Sequence, residues 1–108
     1  MTMPKSAISE SVKFYLNPRL HEVIDQRTAL GWKKYGQSLD ENVKTDDDKC
    51  VHLIQELLDA MQYVEWGGTH PFYKQTCMVM LGWMVNLLIG SFPDLTTSDF
   101  MWKEGYQE

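Results

Sequence analysis

Gly67-Gly68 followed by Thr69-His70-Pro71 cuts the most apolar half of this sequence into two long helical stretches, and that punctuation limits the fold more than any other feature. Successive glycines end a helix. A proline in the first turn of the next helix lacks only an N–H that would have had no partner. The stretch before the glycines opens at Thr45, a capping residue followed by Asp46, Asp47 and Asp48, which favour the positive end of a helix. It is expected to run to Trp66. The stretch after them is expected to run through Leu88 to a Gly90 cap.

Upstream, Asn17-Pro18 is a third helix start, and Leu20, Val23, Ile24 and Arg27 follow at helical spacing. This helix is expected to end near Leu30, because Gly31 and Gly36 interrupt it and Lys33-Lys34-Tyr35-Gly36 reads as an exit turn. Ile8, Val12, Tyr15 and Leu16 suit a short extra helix, and Phe92 to Glu108 holds turn residues with scattered aromatics. No segment alternates as a strand does, and no hairpin turn joins two β-branched runs. The fold class expected is all-α: a small open bundle of three to four helices, two of them long and antiparallel. One domain over 1–108 is expected, with its core in 17–90 and the flanks 1–16 and 91–108 peripheral. Met78, Val79, Met80, Leu81, Trp83, Met84, Val85, Leu87 and Leu88 make the last long helix apolar on every side, and so short a bundle cannot cover it. Homo-oligomerisation, as a dimer or tetramer, is the expected remedy.

Composition narrows the partners. With 44% hydrophobic residues in 108, the chain can build a core, so disorder is not expected. A net charge of -5 gives no general attraction to a phosphate backbone, so no nucleic-acid polymer is expected as partner. The most apolar window, Cys77 to Ile89, falls short of the roughly 20 residues of a membrane span. Met1 to Glu10 carries neither a signal-peptide pattern nor a lipidation motif, which makes the cytoplasm the expected location. Cys50 and Cys77 match no zinc spacing and are read as reduced core thiols.

On the helix opened by Thr45, about 100° of turn per residue puts Ile54, Leu57, Leu58, Met61 and Val64 on one side as a core stripe. His52, Glu56, Asp59 and Tyr63 fall in a row on the other, at spacings of four, three and four. Glu56 and Asp59 can therefore aim carboxylates at a common point, as hard oxygen ligands for Mg²⁺ or Mn²⁺. Mg²⁺ needs few such residues, since waters and substrate phosphates complete its octahedron. The plain alternative is a solvated face, the usual fate of a polar row opposite a core stripe. Tyr63 and Trp66 at its end weigh against that, because large aromatics suggest a lined surface. His52 reads as a surface or interhelix histidine.

Arg27, Trp32-Lys33-Lys34-Tyr35-Gly36-Gln37-Ser38-Leu39, His52-Leu53-Ile54-Gln55-Glu56-Leu57-Leu58-Asp59-Ala60 and Tyr63 resemble the small phage and bacterial MazG-like proteins, all-α nucleoside triphosphate pyrophosphohydrolases. The resemblance spans roughly residues 19 to 66. It implies a Mg²⁺-dependent enzyme that cleaves a nucleoside triphosphate between the α- and β-phosphates, in a host cytoplasm if phage-encoded. The family's Glu-x-x-Asp motif falls on Glu56 and Asp59, with Gln55 where paired glutamates are often found. Its Glu-x-x-Glu motif has Glu22 with Asp25 as the nearest counterpart. The implied metal ligands are Glu56, Asp59, Glu22 and Asp25. On this resemblance Glu56, Asp59 and Glu22 would carry catalysis, Arg27, Lys33 and Lys34 would clamp phosphate, and Tyr35, Tyr63 or Trp66 would stack the base; Lys33 and Lys34 read equally well as an exposed helix exit favoured by the macrodipole.

Two other readings remain open on the sequence. Gln55 and the shortened second motif suit a non-catalytic nucleotide-binding protein, a phage sponge for a nucleotide signal. Seven methionines and the apolar last helix suit a helical interaction or assembly module without a small ligand.

Overall fold

The computed structural model describes residues 5–37, 40 and 44–101; the exit segment's Ser38 and Leu39 lie outside them. It is all-helical, with four α-helices and no strand among the described residues. The chain divides into two compact units, residues 1–43 and 44–108.

The first unit holds α1 (Ala7–Lys13) and α2 (His21–Tyr35), joined through a 3₁₀ turn at Pro18–Leu20. Asn17 caps that turn through Oδ1, which accepts from the Arg19 N–H at 2.9 Å. The helix expected to stop near Leu30 instead passes through Gly31 and ends at Tyr35. One glycine costs a helix only about 1 kcal/mol, too little to break it when the turns on both sides are sound. The stop is Gly36, at φ 71°, whose N–H returns to the Trp32 carbonyl at 2.8 Å. Lys33 and Lys34 thus belong to the last helical turn, where the carbonyl ends favour cations.

Polar contacts join α1 to α2. Lys13 bridges Glu10 at 3.0 Å and Asp25 at 2.8 Å. The Asp25 carboxylate, and after it Glu10, holds the Lys13 ammonium above its ordinary pKa. Thr28 donates to the Ile24 carbonyl at 2.9 Å, leaving its oxygen to accept from the Ser9 hydroxyl. His21 Nε2 lies 3.0 Å from the Lys13 carbonyl oxygen.

The start of α1 has two caps. Ser6 Oγ accepts from the Ser9 N–H at 3.1 Å and donates its proton to the Asp40 carboxylate, which also accepts from the Ile8 N–H at 3.0 Å. The Ser6 hydroxyl, then the Ile8 N–H, holds the Asp40 carboxyl below its ordinary value of 3.8. A depressed folded-state pKa contributes stability that is present above the unfolded value and lost as pH falls through the folded one. Asp40→Asn is therefore expected to lower α1 helicity at neutral pH and to make no difference in strong acid. Paired circular dichroism titrations check this, and a difference that persists at about pH 2 counts against it.

The second unit holds α3 (Asp46–Tyr63) and α4 (Lys74–Ser91). Thr45 caps α3 as the sequence indicates, its Oγ1 accepting from the Asp48 N–H at 3.1 Å. The helix widens into a π turn over Val64–Gly68, where Gly67 takes φ 122°, a region that a side chain rarely enters. A Cβ on Gly68 would lie 2.9 Å from the Tyr63 carbonyl oxygen. Both glycines are thus required to end the helix.

His70 Nδ1 accepts from the Phe72 N–H at 3.1 Å and opens the 3₁₀ turn Pro71–Tyr73 that leads into α4. Gly90 does not cap α4; the helix continues through it to Ser91, whose hydroxyl donates to the Leu87 carbonyl at 2.9 Å. The order of contacts makes the pair antiparallel: Glu65 meets Lys74 at 3.1 Å, and Met61 lies beside Gly82.

The core of this unit is small: Cys50, Ile54, Leu57 and Val64, all on α3 or its continuation. Leu58, expected in the stripe, is 39% exposed, and Met61 is only half-buried. Leu58 sits about 80° around the helix from the Cys50–Leu57 line, so α4 cannot cover it as well. Cys77, expected in the core, is half-buried. No helix among the described residues is long and apolar enough to cross a membrane.

Candidate functional site

Because α3 is unbroken from Asp46 to Tyr63, the row of His52, Glu56, Asp59 and Tyr63 lies on a single helical face. The buried side chains Cys50, Ile54 and Leu57 point the opposite way, and all four members of the row are exposed. Glu56 and Asp59 are one turn apart, with Tyr63, 64% exposed, one turn further on.

Two carboxylates meet the minimum that Mg²⁺ asks of a protein when water and phosphate oxygens complete its shell. No group of three or more His, Cys, Asp or Glu is gathered around a metal-sized space among the described residues.

The remaining expected site residues lie in the first unit. Glu22 stands in the first turn of α2 and is exposed, and Asp25 follows on the next turn. Asp25 is held by the Lys13 ammonium, which a divalent cation would have to displace. Arg27, Lys33 and Lys34 are exposed on the same helix. The Lys34 ammonium lies 5.1 Å from the centre of the Tyr35 ring, a cation–π contact that leaves the charge in water.

Gln55 turns away from the row. Its amide donates to the Phe100 carbonyl at 3.4 Å, tying α3 to the 3₁₀ turn Thr97–Phe100, which Thr96 and Asp99 cap reciprocally. A glutamate in its place would set a carboxylate against a carbonyl oxygen. Gln55→Glu is therefore expected to destabilise the chain by about 1 kcal/mol at neutral pH without adding to metal affinity. Thermal unfolding and Mg²⁺ calorimetry check this, and a gain in Mg²⁺ affinity counts against it.

Sequence reasoning missed Lys13 and Asp40, both structural. Glu10 is within a turn of Lys13, but Asp25, and the Ser6 and Ile8 that meet Asp40, lie far along the chain and give no local signal. The Cys50 thiol is pushed above its ordinary pKa by burial, and secondarily by Asp47, which keeps it protonated and unreactive.

No known protein family, curated protein or solved structure matches this chain.

Proposed function

We propose that this chain is a Mg²⁺-dependent nucleoside triphosphate pyrophosphohydrolase of the MazG-like kind, acting in the cytoplasm as a homo-oligomer. The observation that carries the reading is the exposed Glu56–Asp59 pair, one turn apart on the face of α3 opposite its buried stripe. Bound Mg²⁺, or Mn²⁺, would neutralise phosphate charge during attack by water on the α–β phosphoanhydride. Glu56 and Asp59 would hold that ion and orient the water, and Tyr63 on the same face would offer a ring to the base. For α2, taken by itself, the resemblance would give metal binding to Glu22 and Asp25, phosphate binding to Arg27, Lys33 and Lys34, and stacking to Tyr35.

The test is direct. Purified chain with Mg²⁺ and each nucleoside triphosphate is expected to release pyrophosphate and monophosphate in equal amounts, and EDTA is expected to stop it. No pyrophosphate from any of the nucleotides sinks the reading.

One observation favours a second reading, nucleotide binding without turnover. Asp25 is engaged by Lys13, which leaves Glu56 and Asp59 as the less encumbered acidic pair. Calorimetric nucleotide binding that persists in EDTA, without product, would select it.

A further inference from the structure

The hairpin of α1 and α2 is closed without a core. Neither helix has a buried residue, and the contacts that join them are polar. They are the Ser9–Thr28 hydroxyl pair, His21 Nε2 beside the Lys13 carbonyl oxygen, and the Lys13 ammonium, which lies 3.0 Å from Glu10 and 2.8 Å from Asp25. Parting the two helices therefore uncovers no buried side chain of either.

Lys13 stands apart among these contacts. Its side chain is only 16% exposed, against 40% for Glu10 and 59% for Asp25, so its stem lies down on the hairpin while its charge reaches an acid on each helix. A cation between carboxylates of two helices is what a divalent ion would supply there. The two exclude each other, because a metal needs the same carboxylate oxygens at about 2.0–2.6 Å. Glu22 stands exposed one turn before Asp25 on α2, the spacing at which two carboxylates reach one ion.

We propose that Lys13 makes an autoinhibitory contact: a cation tethered to α1 that occupies Asp25 and withholds it from a divalent metal until α1 moves off α2. An exposed ion pair is weak by itself, but here Glu10 and the neighbouring contacts of α1 hold the ammonium in place. Mg²⁺ gives up its water reluctantly and competes poorly for a carboxylate already engaged. While the hairpin is closed, α2 thus offers the metal no carboxylate pair. Opening of α1 and metal binding at Glu22 and Asp25 favour each other, as linkage requires. The inference rests on the part of the proposed function that gives Glu22 and Asp25 to the metal, and adds the residue that governs them. Its readout is Mn²⁺ binding with the α3 pair removed, so it and pyrophosphate release fail separately.

The experiment uses the full chain carrying Glu56→Gln and Asp59→Asn, with free Mn²⁺ followed by electron paramagnetic resonance. With Lys13 in place, Asp25→Asn is expected to change Mn²⁺ affinity by less than about 2-fold, because that carboxylate is already occupied. Lys13→Met is expected to raise the affinity by about 5-fold or more, with helical circular dichroism unchanged. Adding Asp25→Asn to Lys13→Met is expected to abolish the gain, which the mere loss of a positive charge would not explain. Should Lys13→Met lose helicity, Lys13→Gln serves instead, and the comparison with Lys13 in place needs neither variant. Weaker Mn²⁺ binding on Asp25→Asn while Lys13 is present overturns the proposal. So does a folded Lys13 variant that gains no affinity, or one whose gain survives Asp25→Asn.

Discussion

Glu56→Gln is expected to lower pyrophosphate release from a nucleoside triphosphate by about 10²- to 10³-fold, with the fold unchanged. The side chain is exposed on α3, so the substitution removes a charge without opening the core. The amide keeps one oxygen but gives up the anionic donor that a hard cation selects, and it cannot take a proton from water at neutral pH. Asp59→Asn should act in the same direction. The double variant should lose little more than the worse single one, because residues sharing one ion act as a unit. His52→Ala, on the same face, is the control and should leave turnover within a few-fold. Steady-state assays over a Mg²⁺ series distinguish the causes: if higher Mg²⁺ rescues Glu56→Gln, the residue serves affinity; if it does not, the residue serves the chemical step. Full activity in Glu56→Gln would remove the acidic row from the mechanism.

Ile54→Ala is expected to destabilise the chain by about 2–5 kcal/mol, the range for emptying a well-filled aliphatic site. Ile54 is 1% exposed and stands at the centre of a core with very few members. A small core has little else to collapse into the space. The loss should appear as a marked fall in thermal midpoint by circular dichroism. Leu58→Ala, four residues on and 39% exposed, should cost about 1 kcal/mol or less. Equal effects at the two positions would mean that the face bearing Leu58 is covered in solution.

The all-helical class, the Thr45 cap, the Gly67-Gly68 stop and the placement of Glu56 and Asp59 on one face opposite Ile54 and Leu57 were legible in the sequence. Each depends on residues within a turn or two of one another, and helical geometry converts such spacing directly into direction. Helix ends depending on a balance of small terms were less legible. Gly31 and Gly90 resemble stops, yet both lie inside helices, because about 1 kcal/mol of propensity yields to the hydrogen bonds of adjoining turns. Tertiary structure alone decided the rest: that Lys13 holds Asp25, that Asp40 caps α1 from 34 residues beyond Ser6, that Gln55 reaches Phe100 rather than joining the acidic row, and that Leu58 stays outside the core. Those outcomes depend on which distant side chain arrives within about 3 Å, and no local spacing encodes that distance.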